Sequence, residues 1–261
     1  MIPDNIRHQV NGLLDQVEAD HDVRILFAVE SGSRAWGFPS PDSDYDIRFV
    51  YVRPLTWYVR LSVGRDVIER PIVDNLDVGG WDLRKALSLL VRANPALIEW
   101  LSSPIVYRER PETAAIRALA ELSPHRHSAR YHYRALAWSN YTRYIAKREM
   151  VKLKKYMYCI RPAAALRWLR TRPDRVPMDF PSLLAGIKME ADLQQAIDSL
   201  LALKVSSLEM GEGPHIPRID DFIETEMDLA VRPDGPPSID PSFQSKANEL
   251  FQSIVLRQCD N

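Results

Sequence analysis

Two aspartates flank a tyrosine in the run Ser43-Asp44-Tyr45-Asp46-Ile47-Arg48, at the head of an apolar stretch that reads as a strand. Side chains alternate along a strand, so Asp44 and Asp46 are expected on one face, about 7 Å apart along the backbone. Two carboxylates on one face are costly unless something positive lies between them. A divalent cation meets that need, and an all-oxygen donor set suits Mg²⁺ or Mn²⁺. A third carboxylate, Asp77, stands between Leu76 and Val78 in a later extended segment, where an antiparallel or mixed neighbour strand would bring it to the other two. Gly32-Ser33 precedes Asp44, with ten residues between them. Glycine lets a backbone approach a ligand closely, and Ser33 offers a hydroxyl and an N–H. A helix starting here would add partial positive charge, so the turn could cradle phosphates. Phosphates beside a carboxylate-held metal describe a nucleotide site.

Competing chemistries fit less well. Gly32 and Gly37 have the glycine spacing of a P-loop, but Phe38 stands where its lysine belongs. Ser33 is followed by Arg34-Ala35, which breaks the nucleophile-elbow pattern. His125, His127 and His132 form a histidine cluster, although imidazoles beside loops are ordinarily polar surface. The stretch Pro39–Asp44 is also a good turn, in which Asp42 would satisfy local backbone groups. Asp44 and Asp46 extend beyond that turn into apolar sequence, where a turn former has no reason to be.

The elements that must position these residues follow from periodicity. Residues 4–20 carry apolar side chains at helical spacing. Val23–Val29 reads as a buried strand and Asp46–Val52 as a second, stopped by Pro54. Two short extended segments, Asp66–Glu69 and Ile72–Val78, lead to Gly79-Gly80. Asp82 is placed to cap a helix that runs to Asn94-Pro95, and another helix follows through Leu101. Beyond about residue 112 strand signals vanish. Helical patterns cover 114–122, 128–150, 152–170, 186–208, 219–231 and 242–257, separated mostly by proline-bearing joints. The fold class is α+β: a small mixed sheet with helices in residues 1–110, then an all-helical part in residues 111–261.

Composition is that of a globular protein, with 46% hydrophobic and 26% charged residues among 261. Apolar runs fall well short of the roughly 18 residues of a membrane span, the N-terminal residues lack a signal-peptide core, and two cysteines make no disulfide framework. A reducing cytoplasm is the expected compartment, with no membrane partner. The net charge of −1 hides a strong asymmetry: −4 over residues 1–125, +12 over 126–175 and −9 over 176–261. The central block would bind a polyanion, or the phosphates of a ligand held elsewhere on the chain. Its plainer reading is a solvated helical face whose aromatics pack inward, core packing being the expected role of Trp138, Tyr156 and Trp168. The acidic C-terminal segment could fold back on the block and compete with nucleic acid.

Gly32-Ser33, Asp44-Tyr45-Asp46-Ile47 and Leu76-Asp77-Val78, in that order, resemble the signature of the polymerase β-type nucleotidyltransferase superfamily. The longer runs Ser31–Gly37, Ser43–Arg48 and Gly80–Leu87, with Asn94-Pro95, Glu99–Leu101 and Lys155–Pro162, are similar to a subgroup of predicted bacterial and phage nucleotidyltransferases, some linked to RNA repair. The resemblance implies a metal-dependent transfer of a nucleoside monophosphate from a nucleoside triphosphate, ATP by expectation, to an acceptor hydroxyl with release of pyrophosphate. It implies two Mg²⁺ or Mn²⁺ ions, one on Asp44 and Asp46 and one on Asp46 and Asp77, with Asp77 orienting or deprotonating the acceptor. Gly32 and Ser33 would contact the β and γ phosphates. Arg34 and Arg48 lie near the site; Arg48, on the aspartates' strand face, is either a phosphate contact or an ion-pair partner. Lys154, Lys155 and Arg161 are the candidates from the helical part to reach phosphate or acceptor. RNA is the acceptor to which the basic block points. Transfer to a protein or small molecule, a non-catalytic nucleotide-binding regulator and a helical partner-binding protein are the alternatives.

Overall fold

The structure, a computed structural model, describes residues 2–62, 64–92, 94–123, 126–206, 210–230 and 239–257. His125, Cys259 and the prolines of 233–237 lie outside the described residues. The first part of the chain runs α1 (Asp4–His21), β1 (Arg24–Ser31), α2 (Gly32–Ala35), β2 (Tyr45–Val52), α3 (Leu55–Tyr58), β3 (Val67–Glu69), β4 (Leu76–Asp82), α4 (Leu83–Val91), α5 (Pro95–Leu101) and β5 (Val106–Glu109). It continues as α6 (Glu112–Glu121), α7 (Arg126–Tyr144), β6 (Val151–Lys152), α8 (Lys154–Thr171), α9 (Phe180–Ala185), α10 (Ala191–Ser206), β7 (Glu212–Gly213), α11 (Pro217–Leu229) and α12 (Pro241–Leu256). An N-terminal mixed sheet flanked by helices is thus followed by an almost entirely helical region.

Two compact units are discontinuous in sequence: Met1–Gly32, Asp44–Pro124 and Ser238–Asn261 form one, Ser33–Ser43 and His125–Pro237 the other. The chain therefore leaves the sheet unit between Gly32 and Ser33 and re-enters it between Ser43 and Asp44.

In the sheet unit, five strands lie in the order β3-β4-β2-β1-β5. β1 and β2 are antiparallel, whereas β2 and β4 are parallel. The core strands are buried on both faces, which is why their sequences read as near-continuous apolar runs. Ile47, Phe49 and Tyr51 point to a layer shared with α1, while Val50 and Val52 point to a layer with α4, α5, α6 and α12. By strand alternation Asp46 and Arg48 share the second face. Asp82 caps α4 by accepting from the Arg84 N–H at 2.8 Å, and Asn94 caps α5.

The helical unit is built on α7, α8 and α11, with α9 and α10 closing a second side of its core. The structure departs from the sequence pattern in several places: β6 and β7 pair within the part expected to be all-helical, and α7 ends at Tyr144 rather than at 150. β5 is a four-residue strand too short to show alternation. The helix expected over 186–208 is α10 alone, which starts at Ala191, while α9 (Phe180–Ala185) forms ahead of that span; residues 207–208 of the expected span are outside the described residues. Trp138 is 53% exposed rather than packed in the core, whereas Tyr156 and Trp168 are buried as expected.

Candidate active site

Parallel pairing of β2 and β4 sets Asp46 opposite Asp77. The strand that delivers Asp77 is thus a parallel neighbour within a mixed sheet. Arg48 lies two residues on from Asp46 and on the same face. Its Nη2 donates to Asp46 Oδ1 at 3.2 Å and to Asp77 Oδ2 at 2.6 Å, and its Nη1 donates to the Asp77 carbonyl at 2.9 Å. One guanidinium nitrogen therefore bonds both carboxylates.

Gly32 completes the arrangement from the end of β1. It adopts φ +61°, and a Cβ there would stand 1.9 Å from Asp46 Oδ2. Only glycine lets the Asp46 carboxylate lie against this backbone, and only glycine takes this φ without strain. Asp44 is exposed and directly precedes β2, one residue short of the strand expected to carry it.

Glu30 escaped the sequence reading because a lone glutamate at the end of an apolar strand carries no motif. It is fully buried, and its Oε1 accepts the Asp46 N–H at 2.8 Å while its Oε2 accepts the Tyr107 hydroxyl at 2.5 Å. A carboxylate out of water requires such donors. Burial, together with the Glu30 charge, pushes the Tyr107 phenol above its ordinary range. Tyr107, from β5, thus fixes Glu30, and Glu30 fixes the backbone of Asp46.

Ser33 and Arg34 belong to the helical unit with the rest of loop 33–43. Arg34 Nη2 donates to the Ser43 carbonyl at 2.7 Å and closes the loop on itself. Within that unit the loop is anchored by Phe38, edge-on to Phe180 at 5.3 Å, and by the Trp36 carbonyl, which accepts the Phe180 N–H at 2.8 Å. Arg161 is buried, its guanidinium 4.6 Å from the Trp36 ring centre and donating to the Met178 carbonyl at 3.2 Å. Lys204 of α10, also missed in the sequence, reaches Ser40 Oγ at 3.4 Å and sits over Phe38. Burial lowers its ammonium below the ordinary lysine range. Lys154 is exposed at the start of α8, and Lys155 lies over the rings of Tyr144 and Tyr158 at 4.5 and 5.2 Å.

The sheet unit thus brings together Gly32, Asp46, Arg48 and Asp77. Among the described residues no three His, Cys, Asp or Glu side chains gather closely enough to hold a metal. The donor chemistry nonetheless fits a divalent cation: two carboxylate oxygens already converge on one cationic nitrogen, with Asp44 close in sequence as a further oxygen donor. His132 stacks edge-on against Tyr133 at 5.6 Å.

Comparison with known proteins gives the family. Residues 6–253 match the model of RlaP, described as the RNA repair pathway DNA polymerase beta family. The chain belongs to that family, and so to the polymerase β-type nucleotidyltransferase superfamily, as an enzyme of the nucleotidyltransferase class that acts on nucleoside triphosphates. A relative in Bacillus subtilis (strain 168), the uncharacterized protein YcgL, is 44% identical over 216 residues, covering 82% of this chain and 83% of its own. A crystal structure of a nucleotidyltransferase-like protein from Exiguobacterium sibiricum 255-15 aligns with a TM-score of 0.30 and 10% identity, over 95% of this chain and 79% of that one. No helix among the described residues is long and apolar enough to cross a membrane.

Proposed function

We propose that this enzyme transfers a nucleoside monophosphate from a nucleoside triphosphate, ATP by expectation, to a hydroxyl of an RNA acceptor. The acceptor oxygen bonds to the α-phosphorus as the bond to the bridging oxygen breaks, and pyrophosphate leaves. The hydroxyl proton passes to Asp77, which orients the acceptor. Bound Mg²⁺ or Mn²⁺, two ions on this reading, would be held by Asp44, Asp46 and Asp77 and would neutralise the triphosphate while acidifying the hydroxyl. Gly32 and Ser33 contact the β and γ phosphates of the triphosphate, with Arg34 close by in sequence. Arg48 aligns the Asp46 and Asp77 carboxylates in the absence of substrate. The catalytic residues fall in residues 1–110, and Lys154 and Lys155 are the cations that the helical part offers to phosphate or acceptor; Arg161, buried under Trp36 and bonded to the Met178 carbonyl, is instead part of the helical core. Positioning and charge neutralisation carry most of such a reaction.

The observation that carries this reading is the convergence of Asp46 and Asp77 on one cationic nitrogen. Its test is transfer from each α-labelled nucleoside triphosphate with Mg²⁺ or Mn²⁺, by wild type and Asp46→Asn, offered cellular RNA and protein together. Label in nuclease-sensitive product, lost in the variant, is the expected result. Label in protease-sensitive product would replace RNA by a protein acceptor, and label unaffected by Asp46→Asn would remove the aspartates from the chemistry.

A further inference from the structure

The +12 block of residues 126–175 is not one uniform basic surface, because the helical unit commits much of it to internal partners. Arg167 and Arg170 both donate to Glu226 of α11, at 2.7 Å each, and Glu226 is buried. Arg134 donates to the Met227 carbonyl and Arg172 to the Gly186 carbonyl. Arg126 ties the end of α8 by donating to the carbonyls of Leu169, Arg172 and Pro173. The acidic C-terminal sequence does fold back on the block here, through α11, and neutralises this end of it.

At the other end the cations face a cavity. Arg143, Arg148, Lys152 and Lys155 line a pocket of about 340 Å³ together with Tyr144, Met150 and a single carboxylate, Glu212. That volume is near the small end for ligand pockets. Tyr144 has a cation on it from two elements, with Lys155 at 4.5 Å and Arg143 at 5.2 Å from its ring centre. Lys152 is placed by the pairing of β6 with β7, and the Arg148 carbonyl is held by His215 Nε2 at 2.7 Å. Two more aromatic side chains, Tyr131 and Trp138, are each 53% exposed and stand seven residues apart on α7, hence on one face of it.

We propose that this pocket binds one nucleotide of a single-stranded RNA acceptor, its phosphates on Arg143, Arg148, Lys152 and Lys155 and its base against Tyr144. The proposal rests on the reading that RNA is the acceptor. Cations alone would suit any polyanion. Cations around an aromatic ring suit a nucleotide, whose phosphates and base use both. An acidic peptide would use the charges and leave the ring idle.

The test is fluorescence anisotropy of a labelled single-stranded oligouridine with the full chain across a salt series. The Arg143→Gln/Lys152→Gln variant is expected to bind at least about tenfold more weakly, and removal of two phosphate contacts makes the log–log salt slope shallower by about 1.4. Tyr144→Leu is expected to lose about fivefold or more. Lys188→Gln, an exposed cation outside the pocket, is expected to bind as wild type does. Wild-type affinity in both pocket variants would overturn this inference and leave the acceptor assignment standing. Losses in the charge variant matched by equal losses for polyglutamate, with none for Tyr144→Leu, would overturn it in favour of an acidic protein partner. Failure of wild type to bind RNA would overturn it too, and the label-transfer experiment then decides separately whether RNA is the acceptor.

Discussion

Asp46 and Asp77 stand directly opposite each other on parallel neighbouring strands, and each places one carboxylate oxygen on the same Arg48 nitrogen. The guanidinium therefore occupies the position from which a metal would neutralise both charges. Replacing it by a neutral side chain leaves two adjacent carboxylates without their cation. Arg48→Gln is expected to bind Mn²⁺ about tenfold more tightly, since one unit of competing charge is worth of order 1 kcal/mol or more near a protein surface. Electron paramagnetic resonance of free Mn²⁺ measures this directly, and unchanged or weaker binding would show that the metal does not meet these two carboxylates.

Gly32→Ala sets a methyl group against the Asp46 carboxylate in a left-handed backbone. Strain of about 1–2 kcal/mol is expected, and displacement of Asp46 is expected to lower transfer at least about a hundredfold. Thermal denaturation and transfer assays together check it: a variant as active as wild type would mean that the Gly32–Asp46 contact plays no part in catalysis.

Tyr107→Phe removes one donor from the buried Glu30 carboxylate. Hydrogen bonds to charged groups contribute about 1.5–3 kcal/mol, so a loss of that size is expected in urea denaturation. Transfer should fall as well, because Glu30 holds the Asp46 N–H.

His215 presents both ring nitrogens to acceptors, the Asp220 carboxylate and the Arg148 carbonyl, each at 2.7 Å. Only the imidazolium donates to both. The bond to Asp220, reinforced by that to Arg148, raises its pKa above the ordinary value. A raised folded pKa means stabilisation that is complete below the unfolded imidazole's value and is lost as pH rises through the folded one. His215→Gln is therefore expected to cost more stability below the unfolded imidazole's value of about 6.5 than at pH values above the raised folded one. An equal cost on both sides would rule out the charged form.

Cys159 is buried in the helical core, and burial pushes its thiol up to about 12. The thiolate is the reactive form, so this side chain is expected to resist iodoacetamide in the native state and to react on unfolding. Mass spectrometry of Cys259→Ser isolates the response, and native-state labelling at the rate of a free thiol would contradict the packing.

The strand–turn–strand that carries Gly32, Asp46 and Arg48 is legible in the sequence because Ile25–Val29 and Ile47–Val52 are long enough apolar runs to declare themselves. The cap at Asp82 is legible for the same local reason, being a side chain that bonds a backbone N–H two residues on; Asn94, read only as the break after α4, caps the next helix in the same way. β5 was hidden because four residues show too little alternation, although it delivers Tyr107 to Glu30. Trp138 illustrates the opposite error: large aromatics usually lie inside, yet nothing in a helix's own sequence says which neighbour will cover it.

Local sequence by itself pointed to the family, to Asp46 and Asp77 and to the glycine that admits Asp46, since these depend on residue type at fixed short spacing. Tertiary structure alone decided that Asp77 pairs in register with Asp46, that Glu30 and Tyr107 support it, and that Glu226 neutralises Arg167 and Arg170 while Arg143, Lys152 and Lys155 line one pocket. Charge and hydrogen-bonding energies depend on distance through space. Residues 31, 59 and 77 positions apart in the chain become partners only when packing of the whole unit closes that distance.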